Sequence, residues 1–450
     1  MKKILLTLTL LLTASTIFAQ SGKKDGEFNA SGVDELSIQI DAGMEISVTG
    51  TNSNTIKFEY DFDGNDEAYE HYFQNFNPEF DRSSGRARLI IDFPDQKKRR
   101  VNHRIKKHSL IISVPQNLAL DLSSRYSEVT VTNIEKGVSI QNRSGEVKVI
   151  DVQQLVRINN QYGRIDVSNI NGDIVLSNRS ANVDVKNVVG RLEVDANYSK
   201  LNISKVDGEV FISNRSGTVN IFEIKGNLVT NGPYVEYEIT NIEGDVEISN
   251  RNGKVVLDTA RSLKITGDYT YLNASNILST QGVYLEGRSA NIVLENIGGP
   301  ASITGQYLDM TLKNIDGPAT IRNRSGKVNI DGLEEYLSMH GEYIPLDVRN
   351  FKGESVQIVN RSGSTVIEAL NTLNLIDIES QYGKVELTMK KEFNGEVTIE
   401  SKYGKVISDL TLTTQNISTS NNERLISGVA GNGSGRMIIK NRNGDIIIKQ

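Results

Sequence analysis

A phrase of about 18 residues recurs from near Ser123 to the last residue, and this period limits the fold more than any other feature of the chain. Asn142-Arg143-Ser144-Gly145 returns as Asn214-Arg215-Ser216-Gly217, Asn323-Arg324-Ser325-Gly326 and Asn360-Arg361-Ser362-Gly363. Looser copies stand at Asn178-Arg179-Ser180, Asn250-Arg251-Asn252-Gly253, Arg288-Ser289 and Asn441-Arg442-Asn443-Gly444. Successive arginines from Arg143 to Arg361 are 36 or 37 residues apart. Midway between them stand Tyr126, Tyr162, Tyr198, Tyr234, Tyr271, Tyr307 and Tyr343, and Tyr382 and Tyr403 continue the series at looser steps. Two versions of one 18-residue unit therefore alternate, giving a 36-residue double repeat.

Each unit has the same internal order. Two apolar residues flank a polar one, as in Val147-Lys148-Val149 and Ile165-Asp166-Val167. A corner of the type Asn169-Ile170-Asn171-Gly172 follows, and then a second alternating pair such as Ile174-Val175-Leu176. Period-two alternation rich in β-branched residues is the signature of short strands. Two strands and two corners per unit make one rung that cannot bury its apolar side alone, so rungs must stack. The expected fold is all-β: a single-chain parallel β-helix or β-solenoid, right-handed, with rungs of about 18 residues. A propeller blade needs a longer period, and a sandwich needs no fixed one. Glycine columns at the corners, such as Gly172, Gly208, Gly226 and Gly244, answer to positive φ or to close approach between rungs.

Composition then narrows the function. The 450 residues include no Cys, which excludes disulfide scaffolds, thiolate metal sites and cysteine nucleophiles. The formal charge of −6 argues against general nucleic-acid binding. Lys2 and Lys3, an apolar stretch from Ile4 to Phe18, and Ala19 before Gln20 read as a secretory signal peptide over residues 1–19. No later apolar run is long enough for a transmembrane helix. Export to the periplasm, the outer surface or the medium is the expected location. Residues 20–33 read as a polar linker and 34–122 as an N-terminal β region. That region carries a charged excursion at 61–108, acidic and aromatic at first, with a short helix as one option. The solenoid fills 123–450.

Three groups of residues could carry chemistry. The first is the turn column Arg143, Tyr162, Arg179, Tyr198, Arg215, Tyr234, Arg251, Tyr271, Arg288, Tyr307 and Arg324. Stacking brings Arg within reach of Tyr rings, each contact contributing about 0.5–1 kcal/mol at an exposed site. The reading given first weight is structural packing of one corner; the functional reading is a stripe for a polyanionic or sugar chain. The second is the basic run Lys97, Lys98, Arg99, Arg100, Arg104, Lys106 and Lys107. It reads as a solvated loop balanced by the acidic segment before it, or else as a patch for an anionic surface. The third is the set of four histidines, His71, His103, His108 and His340, which show no metal or catalytic spacing. No catalytic residue, metal ligand or cofactor is expected. The Asn-Arg-Ser phrase also fits an N-glycosylation sequon, but its recurrence at a turn explains it better.

Ile111-Ile112-Ser113-Val114-Pro115, followed by Leu120, Tyr126, Val129 and Val131 and then by the repeated Asn-Arg-Ser-Gly and Asn-Ile-x-Gly phrases, resembles a bacterial family of exported proteins. Its members are known as putative adhesins or as domains of unknown function with β-strand repeats. The likeness covers roughly residues 34–450. It implies a parallel β-helix in the cell envelope or outside the cell and no catalytic residues to carry over. The reading is a non-enzymatic adhesin-like binding or structural protein, its partners a surface polysaccharide or an envelope protein. The alternatives are a β-helical polysaccharide-degrading enzyme and a periplasmic scaffold or stress-related factor. Ile446-Ile447-Ile448-Lys449-Gln450 reads as one more strand whose open edge would favour end-to-end self-association.

Overall fold

The computed structural model describes residues 19–94 and 104–450. The stretch 1–18, and with it nearly all of the expected signal peptide, lies outside the described residues, as do Lys97, Lys98, Arg99, Arg100 and His103. The chain divides into two compact units, Met1–Gln153 and Gln154–Gln450.

The second unit is a β-solenoid whose strands form two parallel columns. In one, Val156, Ile174, Leu192, Val210 and Leu228 lie in register. In the other, Ile165, Val183, Leu201 and Val219 do. The register advances by 18 residues per rung, as the period predicts. Inward residues such as Ile174, Leu176, Val183, Val185 and Val188 are fully buried, while the residues between them face water. Longer steps are absorbed at corners. Leu263 pairs with Val283 because Leu278–Gly282 forms a wider turn, closed by Gln281 N–H donating to Ser279 Oγ at 3.0 Å.

The Asn-Ile-x-Gly corner works through its asparagine. Asn169, Asn187, Asn241, Asn276, Asn296 and Asn314 all adopt φ between 52° and 59°. Asn tolerates this left-handed conformation better than most residues. The kink resets the alternation, so that Val167 and Ile170 both point inward. The exposed amides then bond one rung to the next: Asn187 Nδ2 donates to Asn169 Oδ1 at 3.0 Å and Asn314 Nδ2 to Asn296 Oδ1 at 2.9 Å. The glycine of this corner answers a different need. A Cβ on Gly226 would lie 2.3 Å from the Gly208 carbonyl oxygen of the rung before.

The other corner is built on the buried asparagine of the Asn-Arg-Ser phrase. Asn214 Nδ2 donates to Ser199 O at 3.0 Å, Asn250 Nδ2 to Val235 O at 2.9 Å and Asn360 Nδ2 to Ile344 O at 2.7 Å. Each bond satisfies a backbone acceptor that the turn would otherwise bury unpaired. These asparagines have almost no exposure, which removes the sequon reading. Not every strand is short: Val210–Ile224 and Ala301–Ile315 run through this corner for 15 residues. Backbone pairing persists there, as Ser216, Gly217 and Thr218 stay in register with Tyr234, Val235 and Glu236.

The C-terminal end departs from chain order. Gly435–Asn441 and Ile446–Lys449 insert between the rung Leu375–Tyr382 and Val385–Met389 and the rung Gly395–Lys402 and Val406–Ser408. Glu423–Ala430 pairs antiparallel to Gly395–Lys402, and Asn416–Ser420 pairs antiparallel to Glu423–Ala430. The final strand is therefore interior, which corrects the expectation that it leaves an open edge. The outer edge of Gly395–Lys402 is covered by the chain's own hairpin.

The first unit uses a similar device. Glu35–Ile40 lies between Arg86–Ile91 and Ala119–Ser123, and Glu45–Thr51 between Ile105–Pro115 and Glu128–Ile134. Thr55–Asn65 runs antiparallel to Ile105–Pro115 and to Ala19–Asn29. Residues 20–33, expected as a linker, thus contribute an edge strand. Its polar sequence hides this role because Gly22 and Gly26 pack beneath the rings of Phe73 and Phe58 and supply no apolar side chain. The excursion at 61–108 includes a short helical segment, Asp66–Ala68 and Tyr69–Gln74, started by Asn65 Oδ1 accepting from Ala68 N–H at 3.3 Å.

Candidate functional site: an exposed tyrosine and arginine column

In the second unit the ladder sets the tyrosines of one exposed column opposite small residues. Tyr198 pairs with Ser216 and Ser216 with Tyr234; Asn252 pairs with Tyr269; Ser289 pairs with Tyr307, then Ser325, Tyr343, Ser362 and Tyr382 follow in turn. A ring therefore recurs at every second rung, about 9.6 Å apart at a strand spacing of ~4.8 Å. The small residues keep the rings from stacking on one another. They stand out from the surface: Tyr162 is 43% exposed, Tyr198 55% and Tyr234 50%.

Arg143, Arg179 and Arg215 of the repeated phrase each lean toward the tyrosine one rung back. Arg179 Nη1 donates to Tyr162 OH at 3.0 Å, with its guanidinium 5.7 Å from the ring centre. Arg215 sits 5.9 Å from the Tyr198 ring. In the first unit Arg143 repeats this with Tyr126, at 3.4 Å to the hydroxyl and 5.9 Å to the ring. Farther along the second unit Arg324 turns instead to Glu342, at 3.3 Å. Arg251 and Arg288 are exposed and form no ion pair among the described residues.

One member of the expected stripe is displaced. Tyr269, not Tyr271, faces Asn252, and Tyr271 lies opposite Lys254, whose Nζ is 6.0 Å from its ring. The rung between them advances by 17 residues, so even spacing in the sequence pointed to the wrong tyrosine of Asp268-Tyr269-Thr270-Tyr271. Tyr307 and Tyr234 hold their expected places.

The described part of the basic run is not one uniform patch. Lys107 Nζ meets Asp61 Oδ2 at 2.6 Å, and Lys23 reaches the same carboxylate at 3.3 Å. That pairing holds the Asp61 carboxyl below its ordinary range and the Lys107 ammonium above its own. Arg104 and Lys106 remain exposed. His108, next in the chain, is buried beside Tyr60, Phe62, Tyr72 and Phe93.

Among the described residues no group of three His, Asp or Glu side chains could hold a metal ion, and no helix is long and apolar enough to cross a membrane. Among the described residues the carboxyls with displaced pKa are Asp61, Asp245 and Glu386, and all are pulled down. Hydrogen bonds from Lys384 and Lys449 take Glu386 to about 2. A groove of about 910 Å³ runs along the other corner, past Val189, Lys205, Lys225, Arg261 and Leu278. Its cations are already paired, Lys225 with Asp207 at 2.7 Å, Lys205 with Glu223 at 4.0 Å and Arg261 with Asp245. It therefore offers a ligand little unpaired charge.

Stacked two-column rungs with this corner chemistry define the chain as a β-solenoid protein. Residues 345–449 match the model of the Toastrack DUF4097 family, a domain of unknown function. No curated protein matches the chain. Solved structures similar to it include one described as "a putative cell adhesion protein" from Clostridium sporogenes, 10% identical over 96% of this chain and 100% of that one, with a TM-score of 0.18. Two described as "putative adhesin" come from Bacteroides fragilis and Parabacteroides distasonis. The first is 15% identical over 68% of this chain and 97% of its own, at a TM-score of 0.21; the second is 13% identical over 73% and 97%, at 0.26. Likeness at this level specifies neither a ligand nor a binding site.

Proposed function

We propose that the protein is an exported, non-enzymatic, adhesin-like binding module and that the tyrosine and arginine column is its ligand face. One observation carries the reading: the tyrosines recur in strict register, yet each remains about half exposed. Packing alone gives no reason to hold large rings in water at every second rung, whereas a regular row of rigid aromatic surfaces suits an extended polymer. Tyrosine also presents contact area at low entropic cost, since only two χ angles need be fixed. Export is supported by Lys2, Lys3 and the apolar stretch Ile4 to Phe18.

A structural reading of the same column draws on the 3.0 Å bond from Arg179 to Tyr162, which links adjacent rungs. A glycan array combined with a reducing-sugar release assay tests the proposal. Binding without turnover supports it. Turnover would replace it with a polysaccharide-degrading enzyme, and absence of any ligand would return the column to a structural role.

A further inference from the structure

We infer that the tract from Tyr162 to Arg251 binds an extended acidic polysaccharide carrying one carboxylate per disaccharide; this rests on the ligand-face reading just given. Along this tract Tyr162, Tyr198 and Tyr234 alternate with Arg179, Arg215 and Arg251, one aromatic rung to one cationic rung. Their neighbours at the same two corner positions are Gln161, Ser180, Asn197, Ser216, Pro233 and Asn252, none of them acidic. At the next step Asp268 takes the position beside the ring, and that ends the uninterrupted tract.

The 36-residue double repeat sets both spacings here. Tyr recurs at about 9.6 Å, and Arg recurs at the same interval one rung out of phase. That interval is in the length class of one disaccharide in an extended pyranose chain. A sugar lying along the tract sets one pyranose face on a tyrosine ring and the next residue beside a guanidinium. The guanidinium presents five N–H donors in a planar fork, so an arginine that gives one edge to a tyrosine hydroxyl keeps another for a carboxylate. A neutral polymer leaves these cations unpaired. A polymer charged at every residue places half of its carboxylates over tyrosine rings, whose faces are electronegative. The tract's six rungs span about 24 Å, room for about three disaccharides.

The test uses the full chain and calorimetric titration with three probes: a hyaluronan hexasaccharide, with one carboxylate per disaccharide; a hexagalacturonate, with one per residue; and neutral cellohexaose. The hyaluronan probe should bind about tenfold tighter than cellohexaose, the scale of a charge-assisted contact. The R179Q/R215Q variant, with an unchanged circular dichroism spectrum and melting temperature, should lose that preference for the hyaluronan probe. Equal affinity for cellohexaose, or no effect of R179Q/R215Q, overturns the charged-ligand assignment while the ligand-face reading stands. Tighter binding of hexagalacturonate overturns the one-per-disaccharide register. Failure of the folded wild-type chain to bind any of the three, or any glycan of an array, removes the ligand-face reading itself.

Discussion

Asn323 bonds to Leu308 in both directions: its Nδ2 donates to the Leu308 carbonyl at 2.9 Å, and the Leu308 N–H donates to its Oδ1 at 3.2 Å. A single side chain thereby acts as a strand residue where the backbone turns away. Asn360 repeats the pair with Ile344, at 2.7 and 3.3 Å. Asn323→Ala leaves a buried donor and a buried acceptor without partners, which costs about 1–3 kcal/mol. Hydrogen exchange should show loss of protection concentrated at the Leu308 amide and the corner around it. Unchanged exchange there would mean that the bond contributes nothing to holding the corner closed.

His108 gives the first unit a pH dependence. It is 7% exposed and packed among the rings of Tyr60, Phe62, Tyr72 and Phe93. Burial pulls its pKa from 6.5 to about 4; the Gly43 backbone offsets this in part, and His71 adds to the lowering. Tyr60 and Tyr72, which pack against the imidazole, are both pushed up by burial and stay neutral in this range. Between pH 6.5 and about 4 the unfolded state binds the proton and the folded state does not. This contribution to stability is therefore complete above 6.5 and falls away as pH drops through the window, by about 3 kcal/mol in all. Urea unfolding followed by tyrosine fluorescence should show this loss in the wild type and a smaller one in His108→Phe. Identical slopes in the two proteins would contradict it.

The inserted C-terminal rung predicts a non-local effect of truncation. Deleting residues 435–450 removes the strands that lie between Leu375–Tyr382 and Gly395–Lys402, and it removes Lys449 from Glu386, 2.7 Å away. Without that middle rung, 395–434 lose their parallel partner. Limited proteolysis of the truncated chain should cut within 395–434 well before cutting the rungs at 156–224. Equal resistance of the two stretches would show that the insertion does not hold the end together.

The repeat made the strands, the two columns and the corners legible, because one period dictates burial, register and turn at once. The buried role of asparagine in Asn-Arg-Ser was less visible, since Asn142 and Arg143 are adjacent and only the corner geometry turns one inward and the other out. Tyr269 was missed where a 17-residue rung broke the even step. The insertions at the chain's ends were beyond reach of the pattern. Nothing in Glu35–Ile40 shows that its partners come from residues 86 and 119 onward, because that pairing depends on where an antiparallel excursion returns the chain. The strand Ala19–Asn29 was hidden for a different reason, with glycine standing where a strand usually shows an apolar side chain.

Under the proposed function the exposed tyrosines serve a ligand and not the fold. Tyr198→Ala/Tyr234→Ala, in the full chain, tests it most directly, with melting temperature and glycan binding measured on the same preparation. The melting temperature should stay within a few degrees of wild type while binding is lost. A large drop in melting temperature with binding retained per folded molecule would contradict it and make the column part of the packing.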